Sequence, residues 1–79
     1  YPNPFNPEVN ISFYNPKSDK ISINIYDLNG KLVETIYNNQ LSNGSHTFTW
    51  NAQSYSSGIY VVRLKSEKSI ISSKISLMK

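Results

Sequence analysis

Cysteine is absent from the sequence. That excludes disulfide stapling and removes the thiolates on which most structural zinc sites depend. Histidine occurs once, at position 46, and the five acidic residues are scattered. No His-x-His or Asp-x-Asp spacing assembles a metal-ligand set. Three isolated glycines provide no phosphate-cradling loop. No apolar run approaches the roughly 18 residues of a membrane-crossing helix. Helical periodicity is missing as well: no segment keeps apolar residues at i, i+3, i+4 and i+7 between caps. Charge is sparse, at 16 % of residues, and balances to +3. A pI near 9.3 permits contact with nucleic acid or anionic lipid without directing the reading there. The surface rests on Ser, Asn and Thr, a coat common in extracellular β-domains.

What is present is a core. The 79 residues suffice for one small domain, which buries roughly 60 to 65 % of its unfolded surface. Hydrophobic residues make up 38 % and aromatics 13 %, so a few large rings carry much of the burial. Period-two alternation recurs along the chain. "VNISF" alternates Val9, Ile11 and Phe13. "KISINIYD" sets Ile21, Ile23 and Ile25 against Ser22, Asn24 and Tyr26. Asn29-Gly30 follows, a hairpin signal because both residues tolerate positive φ. "KLVETIY" returns as the partner strand, and its adjacent Leu32 and Val33 predict a bulge or two partly covered faces. "NNQLSNGS" reads as a loop; "HTFTW" then puts His46, Phe48 and Trp50 on one face. After the loop "NAQSYSSG", Tyr60, Val62 and Leu64 form the core face of "IYVVRLK". The last strand places Ile71, Ile75 and Leu77 on one face and Lys74 on the other. About six to seven short strands at this spacing predict an all-β antiparallel sandwich.

Candidate chemistry is thin. His46 could be joined on paper to Asp27 and a serine, but no nucleophile elbow positions a serine. Asp27 and Glu34 could approach across their hairpin, with Lys20 and Lys31 as neighbours, and read as surface ion pairs. Trp50 and exposed tyrosines could serve a carbohydrate; a buried core ring is the plainer reading of Trp50. Stacking on nucleic acid requires exposed rings, and Phe48, Trp50 and Tyr60 fall on core faces. The sequence predicts no enzyme activity, no cofactor, no metal, no nucleic-acid partner and no small-molecule substrate.

The opening "YPNPFNP" has three prolines among seven residues. Each fixes φ and cannot donate to a ladder, and Asn3 and Asn6, before prolines, are pushed to extended conformations. Residues 1–7 therefore read as a stiff lead-in, anchored by Tyr1 and Phe5, to a single domain spanning residues 1–79. With no initiating Met, the chain reads as a piece of a longer protein.

In succession, "YPNPFNP", "ISFY", "ISINIYDLNGKLVETI", "GSHTFTWN", "SSGIYVVRL" and "SKISLMK" resemble the type A C-terminal sorting domain of the type IX (Por) secretion system of Bacteroidetes-like bacteria. The likeness covers essentially the whole chain. It implies an immunoglobulin-like antiparallel β-sandwich of about seven strands that acts as an address label. Such a domain directs an upstream cargo domain of the same chain from the periplasm across the outer membrane. A sortase-like cysteine peptidase then normally removes it, and the cargo is secreted or anchored at the cell surface. By position, the family's signal residues fall on Pro2, Asn3 and Pro4, on Gly58 and Tyr60, and on Lys74 and Lys79. The immunoglobulin-like domain of the flagellar hook-capping protein shares the opening run but usually carries an acid and a glycine after its tryptophan. Here Asn51 and Ala52 follow Trp50, which favours the sorting family. The alternative is an accessory immunoglobulin-like module that binds carbohydrate or protein for a secreted multidomain enzyme.

Overall fold

The computed structural model describes residues 7–78. It contains six strands and no helix: β1 (Glu8–Asn15), β2 (Asp19–Asp27), β3 (Leu32–Leu41), β4 (Gly44–Asn51), β5 (Gly58–Lys65) and β6 (Ile70–Leu77). They form two antiparallel sheets, a β1-β4 pair and a four-stranded sheet in the order β3-β2-β5-β6. The described residues measure 16 Å through the thinnest direction, the thickness of two packed sheets. The antiparallel sandwich is as expected, with six strands among the described residues. The lead-in expected over residues 1–7 lies outside the described residues except for Pro7, whose carbonyl accepts the Ala52 N–H at 3.0 Å.

The alternation in the sequence becomes the core. Ile21, Ile23 and Ile25 of the central strand β2 are sealed against Trp50, Ala52, Tyr60, Val62 and Leu77. From the small sheet, Val9, Ile11, Phe13 and Phe48 pack against that cluster. Asn15 is the one buried polar residue among those described; its Nδ2 donates to the Leu41 and Ser42 carbonyls at 3.2 and 3.0 Å. Those two bonds tie the end of β1 to the corner where β3 passes into β4.

The β2–β3 hairpin forms where Asn29-Gly30 predicts it, by a different turn. Gly30 N–H donates to the Asp27 carbonyl at 3.1 Å, and of the two residues only Gly30 has positive φ, at 81°. Asp27 Oδ1 accepts the N–H groups of Asn29 and Lys31 at 2.8 and 3.0 Å. The carboxylate expected in a surface ion pair holds the turn instead. The irregularity of "KLVETIY" is two register shifts, between Ile23 and Asn24 and between Ile25 and Tyr26. Thr35 and Tyr37 pair on either side of Ile36, and Leu32 and Glu34 on either side of Val33, so Ile36 and Val33 are the extra residues.

Two further expectations fail. The segment "NNQLSNGS" is not a loop: β3 runs on to Leu41 and β4 begins at Gly44. Its amide side chains stand on an exposed edge strand, where polarity opposes no burial. Ile71, expected in the core, is 62 % exposed. Its register opposite Leu64 does put it on the core-facing side. Among the described residues, however, two strands face four, and β4 lies near β3 at the far edge. The inner face of β6 is covered at Leu77, half-covered at Ile75 and open at Ile71.

Candidate functional site: the β5–β6 hairpin

Three of the seven expected signal residues, Gly58, Tyr60 and Lys74, lie in the described part of the chain, and the fold brings all three onto one hairpin. Gly58 pairs with Leu77, Tyr60 with Ile75 and Lys74 with Val61. Pro2, Asn3, Pro4 and Lys79 lie outside the described residues.

Gly58 begins β5 with φ at 155°, a conformation that side-chain-bearing residues rarely adopt. No heavy atom lies within 4 Å of where a Cβ would sit, so backbone conformation, not space, calls for glycine. Two residues on, Tyr60 is only 7 % exposed. Its ring meets Trp50 edge-on with centroids 5.3 Å apart, and its hydroxyl donates to the Ser56 carbonyl at 2.7 Å. That bond closes the loop before β5 onto the strand it feeds. Gly58 and Tyr60 therefore build the hairpin rather than present a surface. Lys74 does the opposite: it stands exposed near the middle of β6, on the outer face. Around it on that face lie Ile59, Val61 and Arg63, whose guanidinium sits 4.7 Å above the Tyr26 ring.

Between β3, β4 and the loop after β4 lies a polar node, and Glu34, expected in a surface ion pair, is its centre. Glu34 points inward, and its Oε1 accepts Trp50 Nε1–H at 3.2 Å and the Tyr55 hydroxyl at 3.0 Å. The Tyr55 pKa is raised above its ordinary value near 10, first by this hydrogen bond, then by burial, then by the negative charge of Glu34 and by Tyr60. The signal was present in "KLVETIY", where an acid interrupts a run of apolar residues, but its partners come from β4 and the following loop. Trp50 itself is fully buried, which removes it as a platform for a sugar ring in the folded domain. His46 Nε2–H donates to the Ser42 carbonyl at 2.8 Å and its ring packs beside Phe13 and Phe48, a strand role without a nucleophile.

The geometry defines a small antiparallel β-module whose last hairpin, among the described residues, carries a built interior side and an open edge. The family model for the secretion system C-terminal sorting domain matches residues 1–78, and the chain belongs to that family. It is a type IX secretion sorting domain, a class that marks proteins for export across the outer membrane and is not an enzyme family. Neither the curated proteins nor the solved structures contain a match to it.

Proposed function

We propose that this domain works as a folded address. Gly58 and Tyr60 set the hairpin, and Lys74, with Pro2, Asn3, Pro4 and Lys79, is read by the secretion machinery. Cargo upstream in the same chain passes through the periplasm under this address. A sortase-like cysteine peptidase then removes the domain as the cargo is released or anchored at the surface. The observation that supports this division of labour is the contrast within one register: Tyr60 is sealed under the hairpin, while Lys74 projects freely from it.

The test is export of a reporter fused to the 79-residue chain in a bacterium that carries the machinery. Removing residues 66–79 should trap the reporter in the periplasm. Lys74→Glu should impair export while the purified domain keeps its β-sheet circular dichroism. Tyr60→Ala should impair it through loss of the fold, with recovery at lower temperature. Normal surface display after removal of residues 66–79 overturns the sorting reading; normal display of the Lys74→Glu chain removes Lys74 from the address.

A further inference from the structure

We propose that the free edge of β6 and the groove beside it accept an extended segment of a partner protein as an added antiparallel strand. The segment places an acidic residue opposite Lys74 and, three positions later, a bulky apolar residue opposite Ile71. This names the partner chemistry for the address proposed above and rests on that reading.

The edge is unusually open. Among the described residues β6 pairs with β5 alone, and the register runs unbroken from Gly58 opposite Leu77 to Lys65 opposite Ile70. Exposed edges are normally blunted by proline, bulges or charged side chains such as lysine, and β6 has only the last of these. The opposite edge, β3, carries two register shifts against β2; β6 carries none, has no proline, and has one charge, Lys74. Half of its backbone N–H and C=O groups therefore face away from β5 in a straight row.

A groove lies at the end of that row. It has a volume of about 490 Å³, and its lining mixes apolar Phe13, Tyr14, Ile21, Leu64 and Ile71 with charged Lys17, Lys68, Asp19 and Glu67. Asp19 is already engaged, its two carboxylate oxygens accepting the Lys20 and Glu67 N–H groups at 2.7 and 3.2 Å. In strand addition the ladder supplies affinity and a pocket for an alternate side chain supplies selectivity; this edge offers both. Ile71 faces the groove side and Lys74 the outer side, so residues three apart on an added strand meet one each.

Charge decides between a foreign segment and a second copy. From residue 58 to 78 the chain has four cations, Arg63, Lys65, Lys68 and Lys74, against one acid, Glu67. Lys74 is the fifth of the eight residues of β6. Antiparallel pairing of two β6 strands along their length would bring the two ammonium groups opposite or diagonal to one another, roughly 5 to 8 Å apart at Cβ, where like charges repel. An acidic strand gains from the same lysine.

The experiment uses the isotope-labelled 79-residue chain and short Thr/Val peptides in which Glu precedes Leu by three positions. Amide shift changes and slowed exchange should concentrate on β6. Replacing Glu by Lys in the peptide should weaken binding about three- to five-fold, the scale of an exposed ion pair. Lys74→Glu should reverse that preference. Ile71→Ser should weaken the Leu peptide and leave a Thr counterpart unchanged. The proposal is overturned by shifts confined to other strands, by β6 amides already protected in the free chain, or by self-association through β6 with Lys74 in place. Peptide binding is read on purified protein. Its failure therefore leaves the export result standing, and an export failure with binding intact sinks the sorting reading alone.

Discussion

At the scale of single residues, the domain depends on a few groups whose environment is set across the sandwich. Glu34 gives one carboxylate oxygen to two donors, Trp50 Nε1–H and the Tyr55 hydroxyl. Glu34→Ala should cost about 1–3 kcal/mol, because the buried indole N–H loses its acceptor, whereas Glu34→Gln should cost nearer 0.5–1.5 kcal/mol. Urea denaturation of the two variants separates these outcomes. Tyr55 adds a pH dependence whose sign is fixed. Its pKa is raised in the folded state, so the folded protein holds the phenolic proton more tightly than the unfolded chain. The resulting stabilisation is complete below the ordinary tyrosine pKa of about 10 and is lost as pH rises from there through the folded value. The stability difference between wild type and Tyr55→Phe should therefore be constant at neutral pH and shrink in that alkaline window. Gly58→Ala meets no atom within 4 Å, so its cost is backbone strain alone, about 1–3 kcal/mol, measurable by the same denaturation.

At the scale of elements, β2 and β5 are central and β3 and β6 are edges. Amide exchange should follow that order. The β2 and β5 amides should open only with global unfolding, while the outward-facing half of those in β6 exchange orders of magnitude faster. Uniform protection across β6 would contradict an open edge. Much of this was legible: the isoleucines of β2, the Asn29-Gly30 hairpin, an irregularity in β3 and the core face of β5 follow from residue order. The continuity of β3 through "NNQL" was not legible. Asn and Gln are poor strand formers, and only their place on an exposed edge makes them tolerable there. The role of Asn15 was equally hidden, since its two acceptors lie 26 and 27 residues further along the chain.

At the scale of the whole molecule, the proposed address depends on the stability of the fold. A domain of this size keeps a thin margin, about 5 kcal/mol at the lower end for folded proteins. Trp50→Ala should remove about 3–5 kcal/mol of it and leave the chain largely unfolded, as read by loss of its cooperative thermal transition. Export of such a core variant should fall in step with the folded fraction and recover on cooling, whereas export of Lys74→Glu should stay impaired at every temperature. Equal temperature responses would mean that Lys74 also acts through the fold. Of the seven candidate signal residues, sequence resemblance named all, but it could not separate those that build from those that are displayed. That separation is a matter of burial: Tyr60 and Lys74 lie on adjacent paired strands, on opposite faces of one sheet.

The order of residues alone determined that this chain forms strands and not helices, that it holds together without disulfides, where its hairpin turns, and which side chains alternate towards a core. Those are properties of a strand and its immediate neighbours in sequence. Tertiary structure decided that Ile71 stands uncovered on the inner side, that Glu34 turns inward to Trp50 and Tyr55, and that Lys74 stands exposed on a strand that, among the described residues, is an edge. Alternation assigns each side chain a face; whether that face is covered depends on how many strands lie across from it, and only the assembled sandwich sets that.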